Sequence, residues 1–166
     1  MDVLNLDHIS ANPLLPEVKE VMIEAIHNDL HNPSSQHKAG EYAAELLESA
    51  RKTTAELLGA QDPREIVFTS CGTESINHAI KGVAMANRDK GNHIITSNIE
   101  HNAVIRSLKR LTSQGFTVTS LPVDESGRVD PMEVQKAMTS QTILVTIMHS
   151  NNEVGTIQPI EDIGKI

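Results

Sequence analysis

Aromatic residues and cysteine are scarce in this sequence of 166 residues, which contains no Trp, one Tyr, two Phe and one Cys. The core must therefore be built from aliphatic side chains and Met. One cysteine excludes an internal disulfide and fits a reducing cytoplasm. No apolar run approaches the length that spans a membrane, and a net charge of −8 without a basic stripe argues against nucleic-acid binding. We therefore predict a cytoplasmic, acidic protein that binds neither nucleic acid nor membrane.

Apolar runs typical of buried strands alternate with helical patterns from Glu65 onward. The predicted strands cover residues 66–69, 93–97, 116–121 and 142–149. Their apolar residues are continuous rather than alternating, which indicates that both faces of each strand are buried. Strands of this kind, separated by helices, are typical of a parallel sheet covered by helices on both faces. The sequence therefore predicts an α/β fold.

Two amphipathic helices are predicted before this alternation, over residues 17–28 and 41–58. The domain prediction has two parts, an N-terminal arm over residues 1–15 and the N-terminal portion of a larger domain over residues 16–166. The chain ends in EDIGKI, which looks like the first turn and a half of a helix without a cap or a polar tail. We therefore expect the sequence to be the front part of a longer α/β protein.

The turn after the first predicted strand is a candidate phosphate site. Ser70, Cys71, Gly72 and Thr73 lead from this strand into a helix whose first turn carries Glu74. Free N–H groups at a helix start, the helix dipole and nearby hydroxyls stabilise a bound phosphate. On this stretch alone, an ordinary strand–helix connection with a Ser or Thr cap is the simpler interpretation.

Polar side chains at the ends of two later strands favour the phosphate site. Glu100 and His101 follow the second predicted strand, and residues 149–153 (HSNNE) close the fourth. Ligands of an open parallel sheet bind at the carboxyl ends of its strands, so a phosphate cradle, an imidazole and a carboxamide would converge there. An imidazole can stack on an aromatic ring, and an asparagine can hydrogen-bond a ring hydroxyl. We therefore expect a phosphorylated aromatic cofactor.

The histidines of the early loop are a second candidate site. His27, His31 and His37 lie in or beside a segment rich in Asn, Pro and Ser. Because no Cys or carboxylate stands at ligand spacing, the sequence predicts a solvated loop and no metal site.

Five segments carry a family pattern in its order and approximate spacing. They are HNPSSQHKAG, EIVFTSCGTESINHAIKG, HIITSNIEHNAV, QGFTVTSLPVDESGRVD and TILVTIMHSNNEVGTIQPI. With them, the chain resembles the N-terminal part of a cysteine desulfurase, within the class V pyridoxal-phosphate enzymes of the aspartate-aminotransferase-like fold. The resemblance implies that pyridoxal 5'-phosphate is the cofactor and that Gly72 and Thr73 bind its phosphate. It also implies that His101 is catalytic and stacks on the pyridine ring, and that Asn152 contacts the hydroxyl side of that ring.

The resemblance further implies an activity and partners. A cysteine desulfurase removes sulfur from L-cysteine, leaves alanine and an enzyme persulfide, and passes the sulfur to an iron–sulfur scaffold or another acceptor protein. It acts as a homodimer. The alternatives are a selenocysteine lyase or another class V enzyme and, from a different class, a catalytically incomplete fragment or subunit that binds a partner chain.

Groups needed for this chemistry are missing from the sequence. In the family, the cofactor-binding lysine, the acid that pairs with the pyridinium nitrogen and the persulfide cysteine come after the point at which this chain stops. None of the chain's lysines lies at a predicted strand end. We therefore expect the chain alone to be inactive.

The sequence departs from the family pattern at two places. Residues 6–12 stand where the family usually has LDNNATT, near the substrate entrance, which leaves the substrate open. Cys71 stands where the family usually has a small residue, often Gly. A thiol at a helix N-terminus can have a lowered pKa and be reactive, but we interpret Cys71 as a tolerated small side chain.

Overall fold

The computed structural model describes residues 4, 8, 12–28 and 30–166. The chain divides into two compact units, Met1–Phe68 and Thr69–Ile166. Most of the proposed N-terminal arm, including most of the departure at residues 6–12, lies outside the described residues, so the domain boundaries stay a prediction. The helices of the described residues are all too short or too polar to cross a lipid bilayer.

The first unit contains the two helices predicted from its amphipathic patterns. α1 spans Pro16–His27 and begins with a proline, whose missing N–H costs nothing at that position. α2 spans Lys38–Leu58 and ends at Gly59, whose left-handed backbone (φ 71°) terminates the helix. A short 3-10 turn, Pro63–Glu65, follows and packs against α2. Both helix predictions are confirmed to within three residues.

The strand predicted over residues 66–69 is absent, so that prediction is wrong. The backbone at Ile66 is extended (φ −88°, ψ 120°), but no ladder forms with any described segment, and Val67 and Phe68 are 57% and 46% exposed. The Ile66 carbonyl accepts a hydrogen bond from the Arg51 guanidinium, which also lies 5.1 Å from the centre of the Phe68 ring. An apolar run favours extension, but a strand also needs a neighbouring strand to pair with its backbone groups.

The second unit is a three-stranded parallel sheet with helices. Its sheet order is β2-β1-β3, and both pairings are parallel, as predicted. Its elements in chain order are α3 (Gly72–Ala86), β1 (His93–Ser97), α4 (Asn102–Thr112), β2 (Thr117–Leu121), α5 (Pro131–Ala137), β3 (Thr142–Thr146) and α6 (Ile160–Ile163).

Consecutive residues of β1 anchor the cores on the two faces of the sheet. Ile94 packs with side chains of α3 and α4, among them Ile80 and Leu108. Ile95 packs on the other face, with Val134 of α5. Both isoleucines are fully buried, and complete burial of such a side chain contributes about 1.5–3 kcal/mol. The prediction that helices cover both faces of the sheet is therefore confirmed.

The last strand is shorter than predicted, because β3 ends at Thr146 rather than at residue 149. Beyond this point, the Met148 N–H donates a hydrogen bond to the Glu100 carboxylate instead of continuing the ladder. A side chain from the β1–α4 connection thus replaces strand pairing at this end of the sheet.

Candidate functional site

The start of α3 contains the predicted phosphate-binding residues. Cys71 is the residue before the helix, with extended backbone (φ −168°), and its side chain does not cap the helix. Gly72 and Thr73 open the first turn, and all three residues are exposed. A side-chain carbon added at Gly72 would meet nothing within 4 Å. The space in front of the helix start is therefore open to a ligand.

Glu74 holds the preceding turn in place. Its Oε2 accepts hydrogen bonds from the Ser70 N–H at 2.6 Å and the Ser70 hydroxyl at 2.7 Å. These bonds, the one from the hydroxyl first, lower the pKa of the Glu74 carboxyl below its ordinary value. The carboxylate is thus engaged with the turn itself, and the turn is fixed by a residue of the helix it introduces.

The pKa of the Cys71 thiol reflects the electrostatic environment at the start of α3. The Glu74 N–H and then the Ser70 hydroxyl lower the pKa of the thiol, and the Thr73 N–H adds a smaller contribution. Each of these groups favours the thiolate, since a nearby N–H or O–H stabilises the charged form. Amide donors that stabilise one anion at this point can serve a phosphate in the same way. The donor set therefore fits a phosphorylated ligand.

His101 is the N-cap residue of α4. Its Nδ1 accepts a hydrogen bond from the Ala103 N–H at 3.1 Å. Because Nδ1 is the acceptor, a neutral ring carries its proton on Nε2. The residue is exposed, so the ring caps a helix with one nitrogen while its other nitrogen and its face remain accessible.

A cavity of about 300 Å³ brings three parts of the second unit together beside His101. Its walls come from α3, from the β1–α4 connection with the start of α4, and from the end of β3. The lining residues are Ile76, Ala79, Ile80, Glu100, His101, Val104, Thr146, Ile147 and Met148. Ile76 lies one helical turn from Gly72 and Thr73. His101 therefore lines this cavity, whereas Gly72 and Thr73 are outside its lining and lie one turn further toward the start of α3.

Asn152 lies on the loop after β3. It is exposed, and its Nδ2 donates to the Glu153 carboxylate at 3.1 Å. The preceding residue, Asn151, is buried and donates from Nδ2 to the Ile99 carbonyl at 3.1 Å. This bond joins the Asn152 loop to the connection that carries His101. The roles assigned to Gly72, Thr73, His101 and Asn152 stay predictions.

Sequence reasoning gave no role to the buried residues Glu100 and Asn151. The visible signals were a carboxylate directly before the candidate histidine and a doubled asparagine after an apolar strand. Their partners lie about fifty residues away in the chain. Sequence alone therefore could not identify them as a pair.

Comparison with known proteins identifies the family. The model of the aminotransferase class-V family matches residues 4–166, so the chain belongs to this family. Enzymes of this family depend on pyridoxal phosphate, which confirms the cofactor prediction for the family.

Curated relatives match almost the whole chain. "Cysteine desulfurase IscS" of Methanosarcina thermophila is 50% identical over 161 residues, which are 97% of this chain and 40% of the relative. "Putative cysteine desulfurase IscS 1" of Bacillus subtilis is 45% identical over 166 residues, 100% of this chain and 44% of the relative. The chain thus spans less than half the length of these proteins, in agreement with the predicted resemblance to an N-terminal part.

Solved structures agree with the fold. A NifS-like protein superimposes with a TM-score of 0.89 at 43% identity, covering 95% of this chain and 43% of the other. A protein described as SspA in complex with cysteine gives a TM-score of 0.87 at 42% identity, covering 95% and 45%. The predicted class V α/β fold is confirmed.

Proposed function

We propose that the chain is the cofactor-binding portion of a pyridoxal-phosphate-dependent cysteine desulfurase. The complete enzyme would remove sulfur from L-cysteine and leave alanine and an enzyme persulfide. The observation that carries this proposal is the cavity lined by residues of α3, by His101 and by the end of β3. The chain that forms it is 50% identical over 161 residues to a cysteine desulfurase. A solved relative described in complex with cysteine favours cysteine as the substrate.

Phosphate binding is assigned to the start of α3. The N–H groups of Thr73 and Glu74 and the Thr73 hydroxyl are the donors, and Gly72 leaves room for the phosphate to approach them. A hydrogen bond to a phosphate contributes equally in the ground state and the transition state. These residues should therefore set cofactor affinity more than the rate of the reaction.

His101 is assigned to the cofactor ring and to proton transfer. When bound, pyridoxal phosphate supplies an electron sink for the carbon attached to the amino group of the substrate. The His101 ring is held by its Nδ1 bond to Ala103, which leaves its face for stacking and its Nε2 to hold or move a proton. Asn152 is assigned to the hydroxyl side of the ring, since its carboxamide is exposed on the adjoining loop.

The remaining groups are proposed to come from outside this chain. No lysine is among the residues that line the cavity, and the chain spans 40% of its Methanosarcina relative. We expect the chain alone to be inactive and the complete protein to act in the cytoplasm as a homodimer, or with a complementing chain. A sulfur-acceptor or iron–sulfur scaffold protein would receive the persulfide sulfur.

The test is to supply the missing part. The chain is fused to, or mixed with, the C-terminal part of the Methanosarcina thermophila relative, and alanine formation from L-cysteine is measured at saturating pyridoxal phosphate. Alanine should appear with the assembled protein and not with either part alone. An assembled protein that binds pyridoxal phosphate but forms no alanine would overturn the desulfurase assignment, and so would alanine formation by the chain alone.

A further inference from the structure

Two buried polar side chains, Glu100 and Asn151, connect the segment before His101 with the segment after β3. They are 7% and 6% exposed, respectively. Burial of a carboxylate and a carboxamide is unfavourable unless both are hydrogen-bonded. Their partners therefore indicate what they do in this fold.

Glu100 reaches from the β1–α4 connection to the end of β3. Its Oε1 accepts a hydrogen bond from the Ser97 hydroxyl at 2.6 Å and another from the Met148 N–H at 2.9 Å. The second bond joins residues 48 positions apart in the chain. One carboxylate oxygen therefore connects the end of β1 with the segment after β3, beyond the last residues that pair between the two strands.

Asn151 makes the connection in the opposite direction. Its Nδ2 donates to the Ile99 carbonyl at 3.1 Å, on the connection that leads to His101. Its Oδ1 accepts from the N–H groups of Glu153 at 2.8 Å and Val154 at 3.0 Å, which shapes the turn around Asn152. The carboxamide therefore fixes its own turn and anchors that turn to the neighbouring segment.

We propose that Glu100 and Asn151 form a reciprocal clasp that positions His101 and Asn152 before any cofactor binds. Each clasp residue is buried and directly precedes an exposed residue of the candidate site. Fixing the backbone at Glu100 limits the movement of His101, and fixing it at Asn151 limits the movement of Asn152. A site held in this way loses less conformational freedom when it binds a ligand. The benefit to the cofactor rests on the proposed function, whereas the clasp itself does not.

The direct test is hydrogen exchange of the Met148 backbone amide in the chain, measured by NMR. Glu100→Ala removes the acceptor, so exchange should accelerate about tenfold or more relative to the rest of the second unit. Glu100→Gln keeps an oxygen where both hydrogen bonds end, so its exchange should stay within about threefold of the unaltered chain. Glu125→Gln, at an exposed turn, is the matched control for loss of one charge and should change nothing.

Two further variants keep the test decisive. Glu100→Asp shortens the side chain by one methylene and keeps its charge, so it should accelerate Met148 exchange even if Glu100→Ala does not fold. Asn151→Asp keeps the acceptor for Glu153 and Val154 and removes the donor to Ile99. It should leave those two amides protected while loosening the Ile99 segment. Unchanged Met148 exchange in both Glu100→Ala and Glu100→Asp would overturn the clasp.

Cofactor affinity separates the clasp from the proposed function. In the assembled protein, Glu100→Ala and Asn151→Ala should each weaken pyridoxal-phosphate binding. The loss of pyridoxal-phosphate affinity in the double variant should be smaller than the product of the two single losses, because both bonds join the same segments. If the loss of affinity in the double variant equals the product of the two single losses, the pairing of Glu100 with Asn151 is overturned. If the unaltered assembled protein binds no pyridoxal phosphate, the proposed function fails, while the exchange experiment still decides the clasp.

Discussion

The starts of α3 and α4 both follow a short apolar segment, but the two are built differently. His93–Ser97, before α4, is fully buried in the sheet, and the connection after it is tied to β3 through Glu100. The segment before α3 has exposed Val67 and Phe68, and Glu74 braces its turn only locally. Long-range bonds thus position the candidate stacking residue, whereas local bonds hold the candidate phosphate site. We therefore expect substitutions in the core to disturb the candidate stacking residue and to have little effect on the candidate phosphate site.

The largest difference in stability should appear between substitutions in the two apolar segments that precede α4 and α3. Ile94→Ala in β1 creates a cavity in a closed core and should lower the free energy of unfolding by about 2–5 kcal/mol. Val67→Ala removes an exposed side chain and should cost within about 0.5 kcal/mol. Urea unfolding of the chain measures both. Equal costs would mean that the segment before α3 is buried in solution.

This contrast also explains how far the sequence could predict the fold. The strand at 93–97 was predicted correctly because it carries an isoleucine on each face and its neighbours lie in the same unit. The strand at 66–69 was predicted wrongly, because an apolar run alone does not supply a neighbouring strand and none of the described segments pairs with it. Likewise, Glu100 was visible beside His101, but its bond to Met148 spans 48 positions and leaves no local pattern.

The next largest effect on stability should come from the N-cap residue of α4. His101→Ala removes the Nδ1 acceptor from the Ala103 N–H and should lower the free energy of unfolding by about 1 kcal/mol. His101→Asn supplies another capping side chain and should restore most of that loss. Thermal and urea unfolding of the chain would measure the difference. If both variants lose the same stability, capping is not what His101 contributes to the fold.

The start of α3 should show its local character in a pH titration. Ser70 lowers the pKa of Glu74 from an ordinary value of 4.5. A depressed pKa contributes stability above pH 4.5 that is lost as the pH falls through the folded-state value. The stability difference between the unaltered chain and Glu74→Gln should therefore be present at neutral pH and shrink below pH 4.5. A difference that is constant over this range would contradict the bonding to Ser70.

The smallest effect should come from Cys71. The phosphate donors assigned to this turn are backbone N–H groups and the Thr73 hydroxyl, and the sulfur atom is not among them. Cys71→Gly should therefore leave the affinity of the assembled protein for pyridoxal phosphate unchanged within about twofold. Fluorescence titration with the cofactor is the measurement. A tenfold loss of affinity would show that the thiol belongs to the site.

The proposed division of roles is that the α3 start holds the cofactor, whereas His101 acts on the reaction. It is tested most directly by alanine formation from L-cysteine in the assembled protein, measured for Thr73→Ala and His101→Asn as pyridoxal phosphate is increased to saturation. His101→Asn is the sharper variant because it keeps the helix cap and loses the ring. Excess cofactor should restore the activity of Thr73→Ala, whereas His101→Asn should remain about a hundredfold slower even at saturation. The reverse pattern, or full activity in both variants, would contradict it.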